Sequence, residues 1–450
     1  MSKMKNCEKP HVVAVPFPAL GHTIPFLDMA TLLASNGLTV SYVTTQANAH
    51  RVEQPVSEAI SNGLDIRLVV LPTPAVKGLP VGLESSDQMP MEASDLIREL
   101  AEKLQQPFNR WIEGQLEQET SPPVCIIHDL FIFWALQSAQ KYKLATVLFN
   151  ACGALATVNF VLGRFKSVGH GLGMLINTFH ELEPGYMQHL KNVTNKPVWG
   201  IGPVFPPRGS AKVGMRGKMA DIGENELVRW LDSQSPRSVV YVSFGSQTYL
   251  SPQQTNALAR GLEASQQPFV WAIKVAPAFE PATSDFAARD RAYFPEDFQE
   301  RTKNRGVIVW GWAPQLLILS HPSVGAFASH CGWNSTLESV NLGIPLIAWP
   351  MYGDQPFNSK LIEDLGAAIP FCQNRYAIPD AERVKEVVRT VLIEDKGKEM
   401  RKSAEKMKEA ARKAVEEVGS SRADLQAFVN AVHELHSRLG KNKREKHKCC

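Results

Sequence analysis

Short apolar runs alternate with amphipathic stretches along most of this chain. Val12 to Phe17 is the first run. It ends in the turn Pro18-Ala19-Leu20-Gly21, and a helical pattern follows from Thr23 to Ser35, closed by Asn36-Gly37. A second β-rich run covers Leu38 to Thr44. Strand, loop, helix and strand in this order predict a βαβ unit of a parallel sheet. Further strands are expected at Val124 to Ile127, Thr146 to Phe149 and Leu175 to Phe179, the last of these closing the first half of the chain.

Residues 200–222 are rich in Gly, Pro and charge, which predicts a linker at 206–222. The alternation then restarts. Strands are expected at Val239 to Phe244, Phe269 to Lys274, Val307 to Val309, Val324 to Ala328 and Pro345 to Trp349, with a helix at Ser251 to Ser265. From Asp380 to Leu439 the pattern is helical and rich in Lys and Glu. The expected architecture is α/β: two doubly wound, Rossmann-like domains, 1–205 and 223–420, facing each other across a cleft. Ligands of such sheets sit at the carboxyl ends of the strands. A helix at about 421–440 is expected to pack back on the first domain, leaving a basic tail at 441–450.

The 450 residues suffice for two domains, and 44% apolar with 21% charged residues suits a globular enzyme. A net charge of +3 gives no reason to expect nucleic acid as a partner. The polar start MSKMKNCEKPH has no apolar core of a signal peptide, and no run nears the roughly 18–20 apolar residues of a membrane span. Seven cysteines without CxxC spacing predict free thiols in a reducing compartment, hence a cytoplasmic location, with a monomer as the default. The sequons at Asn192 and Asn334 are then unused. Cys449-Cys450 ends the chain as some prenylated GTPases end, but a solvated tail fits the surrounding sequence better.

The densest chemistry lies between Trp312 and Gln355. Val324 to Ser329 reads as a strand, and His330-Cys331-Gly332-Trp333-Asn334-Ser335 as a loop entering a helix. A helix tip presents N–H groups and a partial positive charge to phosphate. His330, Asn334 and Ser335 stand where side chains join those amides. Glu338 shares a helix face with Asn334, where a carboxylate accepts from ribose hydroxyls. The turn Gly245-Ser246 adds a second source of donors, and Trp312 follows a strand and a Gly, placed to stack on a base. In the first half, His22 opens the first helix and Asp129 follows a strand. A carboxylate that orients an imidazole makes a general base near neutral pH; His128 competes for that role.

These residues resemble the plant UDP-dependent glycosyltransferases of family 1. The segment Trp312–Gln355 is similar to their sugar-donor signature over its whole length, and GHTIPFLDMA and SFGS fall where the family has them. The resemblance implies a GT-B fold and an inverting, metal-independent transfer with no cofactor beyond the UDP-glucose donor. It makes residues 1–205 the acceptor-binding domain and 223–420 the UDP-sugar-binding domain. It makes His22 the base and Asp129 its partner. It sets Trp312 on uracil with Ala313 beside it, Gln315 at the base edge, Glu338 on the ribose, and His330, Gly332, Asn334, Ser335 and Ser246 around the diphosphate. Trp333, Asp354 and Gln355 would face the sugar, with Gln355 favouring glucose, and Asn150 would also reach it. The acceptor implied is a small phenol such as a flavonoid. One departure is that only Leu162 to Met174 stand where relatives carry several dozen more residues.

Rival classes remain. A dinucleotide oxidoreductase would need Gly-x-Gly-x-x-Gly after the first strand, where this chain has FPALGH. A non-catalytic nucleotide-sugar-binding protein would lack the base, and an epimerase would need no acceptor. Terpenoid acceptors and attack by an aromatic carbon use the same machinery.

Overall fold

The computed structural model describes residues 9–89, 94–118, 121–161, 171–205, 222–274 and 293–448. All of the expected linker except Ile222, residues 162–170 of the shortened segment, and Cys449-Cys450 lie outside them. The chain divides into two compact units: Met1–Phe205 with Lys413–Cys450, and Pro206–Arg412.

The first unit holds seven strands: β1 (His11–Val15), β2 (Thr39–Thr45), β3 (Ile66–Leu71), β4 (Cys125–Asp129), β5 (Ala145–Asn150), β6 (Gly173–Ile176) and β7 (Val198–Gly200). Their order is β3-β2-β1-β4-β5-β6-β7, and each neighbouring pair is parallel. Every residue of β1, β2 and β4 is buried. Helices on both faces of a parallel sheet leave no polar side, so these strands read as continuous β-branched runs. The order reverses between β1 and β4. Loops leaving the two strands therefore diverge and open a crevice at their carboxyl ends.

Two strands were not expected from the pattern. β3 is a partly exposed edge strand, and β7 has only three residues. The last strand of this half is thus β7, not Leu175 to Phe179. Strand pairing stops at Ile176, and beyond it the Asn177 side chain accepts the Val204 N–H at 2.9 Å. β7 is stabilised from far along the chain, by the helix Ser420–Lys448. The Gly200 N–H donates to Asp424 Oδ2 at 2.8 Å, and Trp199 meets Phe428 edge-on at 5.3 Å. Leu425, Phe428, Val429 and Val432 of that helix are buried in the core under β1 and β2.

The second unit holds β8 (Val239–Ser243), β9 (Phe269–Ile273), β10 (Gly306–Trp310), β11 (Val324–Ser329), β12 (Leu346–Ala348) and β13 (Ala368–Pro370), in the order β10-β9-β8-β11-β12-β13, all parallel. β13 is another short strand that the pattern did not reveal. Here the order reverses between β8 and β11. Ser251 caps the helix Pro252–Ser265 through a capping box with Gln254. The helical stretch from Asp380 resolves into three helices, Ala381–Leu392, Asp395–Ala414 and Ser420–Lys448. The chain rejoins the first unit at Lys413, inside the second of these, rather than after 420.

Candidate active site

In the first unit, both candidate catalytic residues stand at the β1/β4 switch point. The helix Leu20–Ser35 starts directly after the β1 loop, and His22 lies in its first turn. Asp129 is the last residue of β4. His22 Nδ1 lies 2.7 Å from Asp129 Oδ2, with the His22 side chain 22% exposed and that of Asp129 1%. The other carboxylate oxygen, Oδ1, accepts the Phe131 N–H at 2.9 Å. Phe17 and Phe131 each meet the imidazole, at 5.5 and 5.6 Å between centroids. The ring is held by a buried carboxylate and two aromatic walls. Donation from Nδ1 puts the lone pair on Nε2, the tautomer a proton acceptor requires.

The rival, His128, points to the other face of β4. Its Nδ1 donates to the Asp129 main-chain carbonyl at 3.0 Å, and burial lowers its pKa below the usual imidazole range. It lines a small cavity with Leu130, Phe133 and Leu148, away from the carboxylate. Asn150 is buried; its Nδ2 donates to Thr157 Oγ1 at 2.5 Å and its Oδ1 accepts the Cys152 N–H at 3.1 Å. Its amide is engaged within the fold at both ends.

In the second unit, every expected donor residue follows the carboxyl end of a strand. Ser246 follows β8, Trp312 and Ala313 follow β10, His330 follows β11, and Asp354 and Gln355 follow β12. Gly245 and Gly311 turn their loops with φ of +81° and +116°, values that glycine adopts without steric cost. Trp312 is half-buried and Ala313 buried. Gly332 is the N-cap of the helix Trp333–Leu342 and brings no side chain to the tip; Trp333, Ser335 and Glu338 are buried and Asn334 half-buried.

His330 sits between two glycines. A Cβ on either Gly245 or Gly332 would lie 2.5 Å from its Nε2. Burial lowers its pKa to about 4, so the ring is neutral at pH 7. Its Nδ1 is buried with no hydrogen-bond partner among the described residues. Gln315 opens the helix Gln315–Ser320, and its Nε2 donates to Ser335 Oγ at 3.0 Å and to Glu338 Oε2 at 2.5 Å. The expected base-edge residue thus also aims the expected ribose carboxylate. Gln355 is buried, and its Oε1 accepts the N–H groups of Met351 and Tyr352 at 2.8 and 3.0 Å.

Two residues of this constellation escape a reading of the sequence. Asn358 is buried, and its Nδ2 donates to the Cys331 carbonyl at 3.0 Å and to Asp354 Oδ2 at 2.7 Å. It ties the His330 loop to the Asp354 loop. Its position four residues after Asp354 on a helix was the one available signal. Lys274, just past β9, donates through Nζ to the Ser246 carbonyl. No sequence signal marked it.

The arrangement offers an aromatic plate, a helix tip, a neutral imidazole and a buried carboxylate along one sheet edge. Among the described residues, no group of three or more His, Cys, Asp or Glu side chains could hold a metal ion. Among the described residues, no helix is long and apolar enough to cross a membrane.

Two family models match the chain: the glycosyltransferase N-terminal domain over residues 8–166, and UDP-glucoronosyl and UDP-glucosyl transferase over 205–404. Anthocyanin 3'-O-beta-glucosyltransferase of Gentiana triflora is 32% identical, over 93% of this chain and 97% of its own. Scopoletin glucosyltransferase of Nicotiana tabacum is 33% identical, over 94% and 98%. Among solved structures, Arabidopsis thaliana UGT89C1 complexed with UDP-L-rhamnose superposes with a TM-score of 0.81 at 31% identity, covering 94% of this chain and 99% of that one. The chain belongs to the plant family 1 UDP-glycosyltransferases, enzymes of the hexosyltransferase class with the GT-B fold.

Proposed function

We propose that this enzyme transfers glucose from UDP-glucose to a hydroxyl of a small phenolic acceptor, with inversion and without a metal. His22 Nε2 takes the acceptor proton. The acceptor oxygen bonds to the anomeric carbon as the bond from that carbon to the diphosphate oxygen breaks, and UDP leaves with the electron pair. Asp129 stabilises the imidazolium so formed. The tip of the helix Trp333–Leu342, with Ser246, Gly332, Asn334, Ser335 and neutral His330, takes up the charge that builds on the diphosphate. Trp312 and Ala313 hold the uracil, Gln315 and Glu338 the base edge and ribose, and Trp333, Asp354 and Gln355 the sugar.

The observation that carries the proposal is the 2.7 Å contact between His22 and a fully buried Asp129 at a topological switch point. The names of relatives acting on anthocyanin and scopoletin support a phenolic acceptor. We further place the enzyme in the cytoplasm as a monomer.

The deciding experiment is His22→Ala assayed on a phenol panel with UDP-glucose, UDP-galactose and UDP-rhamnose, with products read by mass spectrometry. Turnover should fall about 10²–10⁴-fold, the contribution of a positioned base, with UDP-glucose binding kept and EDTA without effect. Near wild-type turnover by the variant sinks the assigned base. UDP release independent of any acceptor sinks the transfer.

A further inference from the structure

The amino ends of β8, β11 and β12 point away from the donor loops, and they too border a cavity, of about 360 Å³. Val324, Ile344 and Pro345 give it an apolar floor, and Gly325 and Gly343 also line it. Its rim is strongly cationic: Arg237, Lys398, Arg401 and Lys402 stand there against a single carboxylate, Glu405. Glu405 is itself paired with Lys408 at 3.3 Å, and Lys398 with Asp395 at 2.8 Å. Arg401 donates through Nη1 to the Val391 carbonyl at 2.6 Å. The side chains of Arg237 and Lys402 have no hydrogen bond or ion pair among the described residues.

Like charges gathered with too few counter-charges raise the energy of the fold. The nearness of Arg237, after burial, lowers the pKa of Arg401. Arg237 also holds a left-handed backbone, φ +58°, unusual for its residue type. Its carbonyl is packed so closely on Gly325 that a Cβ there would lie 2.2 Å from it. The fold therefore keeps a guanidinium at this mouth against both electrostatic and backbone cost.

The geometry points to a second binding site here, for a small phosphate-bearing anion, distinct from the donor site at the opposite end of the sheet. Guanidinium groups suit phosphate by bidentate hydrogen bonding. The volume lies at the lower end of the roughly 300–1,000 Å³ of small-molecule pockets. The apolar floor receives an organic body, while Arg237, Arg401 and Lys402 take the phosphate.

The test is calorimetric titration of inorganic pyrophosphate into the full chain already saturated with UDP, which occupies the donor site. One further site per chain is expected. The double variant R237N/K402A should weaken it at least fivefold while the affinity for UDP stays unchanged; Asn tolerates the left-handed backbone. Should that variant fold poorly, K402E, exposed on its helix, serves with the same threshold. No pyrophosphate binding by the UDP-saturated wild type, or a change below fivefold in the folded variant, overturns the site. If UDP itself fails to bind, the donor assignment falls, and the comparison of wild type with variant without UDP still decides the cavity.

Discussion

His330 is closely enclosed by the backbone of two donor loops. Its ring is walled by Gly245 and Gly332, each a Cβ away from collision with Nε2. The two positions differ in a useful way. Gly245 has φ +81°, so alanine there adds backbone strain of about 1 kcal/mol as well as the clash. Gly332 has φ −59°, and alanine there acts through the ring alone. We predict that Gly332→Ala lowers kcat/KM for UDP-glucose by about 10²-fold, the loss of one transition-state donor, with the melting temperature little changed. A wild-type kcat/KM removes His330 from the diphosphate site. The same burial makes a stability prediction. The folded pKa of His330 is depressed from 6.5 to about 4. Its contribution is present above pH 6.5 and is lost as the pH falls toward 4, because only the unfolded chain takes up the proton. Urea midpoints between pH 6.5 and 4 should show a loss from this residue approaching about 1.4 kcal/mol per pH unit. His330→Gln should reduce that slope, leaving the part that His128, shifted in the same direction, supplies.

Among elements, the helix Gln355–Asp364 works as a brace. Through Asn358 it joins the loop after β11 to its own start at Asp354. Asn358→Ala leaves the buried Cys331 carbonyl without this partner. The expected outcome is about 1–3 kcal/mol lost from stability, and a KM for UDP-glucose raised more than kcat is lowered. Chemical denaturation and steady-state kinetics check the two halves, and an unchanged KM removes the bracing role. Elements differ in how far the pattern along the chain reveals them. β1, β2, β4, β8, β9 and β11 are buried runs long enough to stand out from their flanks. β7 and β13 have three residues each, too few to establish a period, and β7 depends on Asp424 and Phe428 from elsewhere in the chain. The site shows the same division. His22, Asp129 and the Trp312–Gln355 set are marked by turns and strand ends close to them in sequence. Lys274 and Asn358 become parts of the site only through the loops they hold.

For the molecule as a whole, the first unit is completed by the end of the chain. Phe428 is fully buried among residues from β1, β2 and β5. Phe428→Ala should cost about 3–5 kcal/mol, as large-to-small changes in a core do. It should lower the melting temperature before it lowers UDP affinity, since the donor loops lie in the other unit. A variant melting like wild type shows that the helix Ser420–Lys448 does not close that core. The sequence by itself determined the α/β class, the two halves and the carboxyl-end loops proposed to carry the chemistry, because alternating periods and turn residues are local properties of the chain. Only the tertiary structure decided that His22 rather than His128 pairs with the Asp129 carboxylate, that His330 is neutral, and that four cations meet at the far end of the second sheet. Strand facing, desolvation and like-charge proximity depend on residues far apart in the chain, and folding alone brings those together.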